Sequence, residues 1–226
     1  MEIRELHSWD VGIEEAKQIQ ARLSKKLIVG EGPERIRLVA GADVSYNLRD
    51  QKVWGGVVVF DIQRWEVVEE QGDFGEVVFP YVPGYLSFRE IPVLLKVFKK
   101  IKTIPDVVLS DGQGVAHPRR MGIASHIGLF LEIPTVGCAK SRLVGTFEPV
   151  GERKGSCSRL RIEGEDVGWV LRTRGGVKPV FVSPGHRVGP KKALEVVLGC
   201  CGRYRVPEPL RRAHILVNQL RQRNFS

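Results

Sequence analysis

The 226 residues suffice for one large domain, and 42% of them are apolar, so a real core can form. Lys and Arg outnumber Asp and Glu by 35 to 26; the net charge of +9 points to a polyanionic partner, nucleic acid first. No apolar run approaches the roughly 20 residues of a membrane span, and the charged start Met1-Glu2-Ile3-Arg4-Glu5 lacks a signal-peptide core, so the expectation is no membrane partner and a cytoplasmic protein.

Residues Ile13 to Leu27 mix charged and apolar positions at helical spacing. Three strand-like runs follow: Arg35 to Tyr46, Val53 to Ile62, and Trp65 to Phe79, the last interrupted by Gly72 and Gly75. Turn segments at Leu48-Arg49-Asp50-Gln51 and Gln63-Arg64 predict antiparallel hairpins. Then helix and strand alternate. Phe88 to Ile101 reads as helix, Pro105 to Asp111 as a buried strand, Ile123 to Leu131 as helix and Pro134 to Cys138 as strand. Arg159 to Ile162 and Val167 to Arg172 read as a hairpin turning at Gly164-Glu165-Asp166, and Val180 to Val182 as a short strand. Helices at about 190–198 and 208–221 close the chain. No linker or repeat divides it, so a single domain over 1–226 is expected. An antiparallel meander followed by αβαβ predicts a mixed sheet with helices on both faces, the order of the RNase H-like fold among several α/β folds.

Cys138, Cys157, Cys200 and Cys201 contain no C-x-x-C pair, which argues against structural zinc and for small buried hydrophobes in a reducing compartment.

Three carboxylates stand out. Asp43 lies mid-strand, where Asp is depleted and an unpaired buried acid is costly; Gly41 on the same face leaves open space beside it. Asp111 ends an apolar strand, where α/β sheets place ligands, although Asp111-Gly112 also suits a plain turn. Glu90 opens a helical run, where Ser87-x-x-Glu90 also fits a capping box. Acids from three separate segments suit Mg²⁺, which wants carboxylate oxygens. Ahead of Glu90, Pro80-Tyr81-Val82-Pro83-Gly84 sets two prolines around an aromatic tip, a stiff loop able to push into something. The loop Asp111 to Arg120 lacks the P-loop spacing, but its glycines permit close backbone approach, and His117, Arg119 and Arg120 can face a phosphate. Lys140 adds a possible phosphate contact at a strand end.

These segments resemble the endonuclease V family, the deoxyinosine 3′ endonucleases, from about residue 10 to 216. The residues carrying the resemblance are Gly41 to Ser45, Pro80 to Glu90, Asp111 to Pro118, Gly122 to Gly128, Ala139 to Leu143, Ser183 to His186 and Ala213-His214. Their joint order is specific where each alone is ordinary. The resemblance implies an RNase H-like fold with a five-stranded central sheet. It implies Mg²⁺-dependent hydrolysis (Mn²⁺ substituting) of the second phosphodiester bond 3′ to deoxyinosine, leaving 3′-hydroxyl and 5′-phosphate ends. By position, Asp43, Glu90 and Asp111 stand as metal ligands, His214 as a fourth active-site residue, Lys140 as the scissile-phosphate contact and His117 as a polar contact. Pro80, Tyr81, Val82 and Pro83 stand as a strand-separating wedge. Gly84, Leu86, Gly112, Ile123 and Gly137 stand as a base pocket. DNA containing deoxyinosine is the implied partner, with inosine-containing RNA an alternative, and a monomer is expected. The competing classes are another RNase H-like nuclease acting on hybrids or junctions, which needs no wedge, and a non-catalytic binder of damaged DNA, which needs no acids.

Overall fold

Among the described residues, 1–47 and 51–223, the computed structural model holds eight strands and five helices. Helix α1 (Ile13–Ser24) precedes the antiparallel meander β1 (Leu38–Asn47), β2 (Lys52–Asp61) and β3 (Glu66–Glu76). Helix α2 (Leu86–Lys100) leads to β4 (Val107–Ser110), and α3 (Ile123–Leu131) to β5 (Thr135–Ala139). Strands β4 and β5 extend the sheet in parallel beside β1. This half is the expected RNase H-like core.

The sheet is wider than the five strands expected. Strands β6 (Cys157–Ile162), β7 (Glu165–Leu171) and β8 (Val180–His186) continue it antiparallel from β5, giving the order β3-β2-β1-β4-β5-β8-β7-β6. Strand β8 runs four residues beyond the expected Val182. Pro184 and Gly185 mask it in the sequence, and a register shift opposite Thr135 and Val136 accommodates them. The β6–β7 turn sits at Glu163-Gly164, with both residues at positive φ, so Glu165 and Asp166 belong to the strand. Of the predicted turn Leu48 to Gln51, residues 48–50 lie outside the described residues. Cys157 is exposed on β6, whereas Cys138, Cys200 and Cys201 are buried.

Strand alternation sends Ala40 and Ala42 to one face, against Ile91, Leu94 and Phe98 of α2 and Ile123 and Ile127 of α3. Val39 points to the other, with Leu109 and Val136, against α4 (Pro190–Gly199) and Leu210 of α5 (Glu208–Arg223). Each large apolar side chain so buried contributes about 1.5–3 kcal/mol. Helix α1 packs Ile19 and Leu23 beside Tyr85 and Phe88, under the loop before α2.

The approach of α5 to the sheet depends on missing side chains. A Cβ on Gly41 would lie 2.2 Å from the Pro209 carbonyl; one on Gly56 would lie 2.7 Å from Val217, and one on Gly72 2.2 Å from Leu220. The space expected to be open beside Asp43 is therefore filled by α5 backbone.

Candidate active site

Strands β1 and β4 are parallel with Ala42 in register with Ser110, so the next residues, Asp43 and Asp111, stand side by side at one sheet end. Lys140 follows β5 at the same end. Parallel strands bring their C-terminal ends together, and this alone joins three residues distant in sequence.

Asp43 is 9% exposed. Its Oδ1 accepts the Val44 N–H at 2.8 Å, and its Oδ2 lies 2.7 Å from His214 Nδ1 on α5. Burial, then the charge of Asp111, raises its pKa above the ordinary carboxylate value, against the His214 hydrogen bond. Asn218, one turn after His214, lies with Nδ2 3.1 Å from His214 Nε2, while its Oδ1 accepts the Ser45 hydroxyl at 3.3 Å. With Asn218 Nδ2 donating to Nε2, His214 Nδ1 is the donor to Asp43. Sequence reasoning did not single out Asn218; its signal was the four-residue helical spacing from His214.

Asp111 accepts a hydrogen bond from the Lys140 ammonium. Burial works to lower the Lys140 pKa, but that bond and the charges of Asp111 and Asp43 outweigh it and hold it above its ordinary value.

Glu90 lies inside α2, not at its start. The helix begins at Leu86 with no side-chain cap, Ser87 bonds to His126 at 3.0 Å, and Glu90 Oε1 accepts the Tyr46 hydroxyl at 2.8 Å. The capping-box alternative is thereby excluded: neither partner is turned toward the helix end. Burial, with Asp43 and Asp111 adding to it, pushes the Glu90 carboxyl up to about 8, against Tyr46 and Arg89. Tyr46 and Arg89, whose guanidinium lies 5.1 Å from the Tyr46 ring centre, had no sequence motif to mark them.

Three carboxylates close enough for Asp111 to act on Asp43, and for both to act on Glu90, offer oxygen donors only and fit a hard divalent cation. Among the described residues, no three acidic, His or Cys groups already stand at ligating spacing. Asp43 is held by His214, Asp111 by Lys140 and Glu90 by Tyr46.

Next to the acids lies a cavity of about 380 Å³, within the usual size of small-molecule sites (about 300–1,000 Å³). Tyr81, Val82, Pro83, Gly84, Leu86 and Ser87 line one side; Asp111, Gly112, Gln113, His117, Ile123 and Lys140 stand among the residues that line the rest. Gly137 is not on its wall. A Cβ there would lie 2.4 Å from the Gly114 nitrogen, so Gly137 instead lets the 112–114 loop lie against β5.

The segment expected to act as a wedge ends in a built turn. Tyr85 N–H bonds to the Val82 carbonyl at 3.0 Å, with Pro83 and Gly84 between and Gly84 at φ +82°, the residue pattern of a type II turn. Pro80 and Pro83 are exposed, and Tyr81 is 74% exposed beside Arg89. The Gly84 carbonyl accepts from His117 Nε2 at 2.9 Å, Arg119 at 3.0 Å and Gln20 at 3.0 Å. The phosphate-facing reading of the 117–120 stretch changes accordingly. His117 is 3% exposed and burial pushes its pKa down to about 4; Arg119 is spent on Gly84 and Gln20, and Arg120 on Glu165.

A family model described as Endonuclease V matches residues 19–215. Endonuclease V of Dehalococcoides mccartyi is 46% identical over 220 residues, covering 97% of this chain and 99% of that one. The crystal structure of endonuclease V from Streptomyces avermitilis superposes with a TM-score of 0.92 at 39% identity, covering 100% of both chains. Endonuclease V of Ciona intestinalis, in complex with a 24mer DNA containing an inosine followed by a ribo-adenosine, superposes with a TM-score of 0.81 at 26% identity, covering 93% of this chain and 98% of that one.

Proposed function

Since this chain belongs to the endonuclease V family, we propose that it recognises deoxyinosine in DNA and hydrolyses the second phosphodiester bond 3′ to it, leaving 3′-hydroxyl and 5′-phosphate ends. The observation that carries this reading is adjacency: one sheet end holds Asp43, Asp111 and Lys140, α2 brings Glu90 within reach of both aspartates, and the cavity walled by the Tyr81 loop opens beside them. The Ciona complex supports inosine as the base.

Asp43, Glu90 and Asp111 would hold Mg²⁺, with Mn²⁺ substituting. Bound there, the ion supplies Lewis-acid charge at the phosphate and lowers the pKa of water. Lys140 presents its remaining N–H groups to a non-bridging phosphate oxygen, and its raised pKa keeps it charged. His214, aligned by Asn218, orients Asp43. Tyr81 enters the stack where the base leaves it; stacking of about 1–3 kcal/mol offsets much of the extrusion cost of a few kcal/mol. Gly84, Leu86, Gly112 and Ile123 enclose the extruded base closely enough to exclude the 2-amino group of guanine. The protein acts as a monomer.

The test is a nicking assay on duplexes with one deoxyinosine, with and without Mg²⁺, mapped to the nucleotide, plus an arm with a ribonucleotide 3′ to the inosine. Asp43→Ala is expected to lower the rate about 1,000-fold or more, the scale of lost metal charge stabilisation, while inosine binding persists. Cleavage retained in Asp43→Ala removes the metal role. Cleavage restricted to the ribonucleotide arm moves the assignment to RNA.

A further inference from the structure

Behind Ser87, on the cavity wall, runs a line of hydrogen bonds with no part in the chemistry above. His7 Nδ1 lies 2.7 Å from the Ser8 carbonyl, His7 Nε2 lies 2.8 Å from His126 Nε2, and His126 Nδ1 lies 3.0 Å from Ser87 Oγ. The direction of every proton in this line follows from its outer end. A carbonyl only accepts, so His7 Nδ1 carries a proton and donates it. Burial lowers the His7 pKa and keeps the ring neutral, which leaves Nε2 an acceptor. His126 Nε2 must then donate. His126 is fully buried, and burial holds its pKa well below the ordinary value, so its Nδ1 is an acceptor too. The Ser87 hydroxyl proton is thereby committed to His126. Toward the cavity, Ser87 Oγ has lone pairs alone to offer.

A second lining residue has the same polarity. Gln113 is 8% exposed and gives its Nε2–H to the Ser141 carbonyl at 3.0 Å, which leaves its buried Oε1 with no hydrogen-bond partner. The lining side chains thus give the cavity acceptor character, Ser87 at the wall and the Gln113 oxygen buried behind it. Hypoxanthine differs from adenine at that edge by carrying a proton on N1, where adenine has a lone pair.

We propose that Ser87 accepts the N1–H of the extruded hypoxanthine, and that His7 and His126 are positioning residues that fix Ser87 as an acceptor. The proposal deepens the inosine reading above and rests on it. It separates deaminated from intact adenine by repulsion between two lone pairs. Guanine, which also carries N1–H, is left to steric exclusion.

Three duplexes test it, carrying deoxyinosine, 2′-deoxynebularine (no N1–H, no 6-oxygen) or O6-methyl-2′-deoxyinosine (6-oxygen kept, N1 a lone pair). Ser87→Ala is expected to weaken affinity and single-turnover nicking about 10- to 100-fold on deoxyinosine and less than about twofold on the two analogues, the signature of one lost acceptor. His7→Phe, which frees the His126 tautomer, narrows the preference for deoxyinosine over both analogues. His7→Gln, whose amide both donates to Ser8 and accepts from His126, restores it. A merely structural role would lower all three substrates together, along with the melting temperature. An unchanged preference in Ser87→Ala overturns the proposal, and so does an equal loss on the O6-methyl analogue, which would make Ser87 a donor to the 6-oxygen. A wild type that fails to nick deoxyinosine overturns the functional reading itself, and that result is visible before any variant is made.

Discussion

His117 donates its Nε2–H to the Gly84 carbonyl at 2.9 Å, and so ties the loop after β4 to the loop before α2. Its Nδ1 accepts the Arg119 N–H at 3.1 Å, which fixes the neutral tautomer. The residue clamps the loop that carries Tyr81 and does not face phosphate as a cation.

The clamp titrates on the acid side. Burial pushes His117 down to about 4, below its ordinary value of 6.5. Between those values the unfolded chain binds the proton and the folded chain does not, so stability rises with pH across the window and is lost as pH falls through it. Replacement by Gln, which keeps a donor, is expected to flatten this slope in urea unfolding at pH 4 to 6.5. Replacement by Ala, leaving a donor of the Gly84 carbonyl missing, costs about 1–3 kcal/mol. An unaltered pH slope in His117→Gln would assign the acid sensitivity elsewhere.

Gly41→Ala tests the approach of α5. The added methyl would meet the Pro209 carbonyl at 2.2 Å, with backbone on both sides and no flexible end to yield. The helix must move outward and carry His214 from Asp43. Overpacking of this kind costs typically about 1–3 kcal/mol, and a rate loss beyond that fraction unfolded is expected at saturating DNA. A variant of wild-type stability and rate would show that α5 tolerates displacement.

Proton release should accompany metal binding. Glu90, pushed up to about 8 by burial and its neighbouring acids, holds a proton near neutrality. A ligand carboxylate must lose it, so metal affinity rises with pH up to about 8 and then levels. The metal-free protein has the opposite slope: its folded state binds the extra proton, so stability falls as pH rises from the ordinary Glu value of 4.5 toward about 8. Glu90→Gln removes that fall. Calorimetry of metal binding in two buffers of different ionisation enthalpy counts the protons; a count near zero at pH 7 contradicts the assignment.

Tyr81→Ala is expected to lower discrimination between inosine and matched duplexes by about 1–3 kcal/mol, the worth of one base stack, with little change in stability, because Tyr81 is 74% exposed. Competition binding reads the difference. Equal weakening on both duplexes would make Tyr81 a generic contact.

Asp43 was legible because a mid-strand acid has few structural uses, and Asp111 because it closes an apolar strand. Ser87 and Glu90 were misleading: their spacing matches a capping box, yet the helix starts at Leu86 and turns both side chains inward, to His126 and Tyr46. Gly137 reads as pocket wall because a glycine lets backbone approach a base closely. Only packing shows it behind the 112–114 loop. Strand β8 was cut short because Pro184 and Gly185 are strand breakers in any local reading, and a register shift is not a local property.

Residue order alone carries the chemistry on offer: three acids, a cation after β5, a proline-stiffened aromatic loop and an excess of positive charge. Those are properties of residue type and near neighbours, which composition and spacing carry directly. Which residue faces which is set by the packing of the folded chain. Parallel pairing of β1 with β4 sets Asp43 beside Asp111; glycines on β1, β2 and β3 admit the helix that brings His214, 171 residues away, to 2.7 Å. His117 and Arg119 become clamps because the fold turns both toward one partly buried carbonyl, that of Gly84. Hydrogen-bond direction is also set by such contacts. A single carbonyl at Ser8 fixes the polarity of Ser87, 79 residues later, and no pattern along the chain contains that relation.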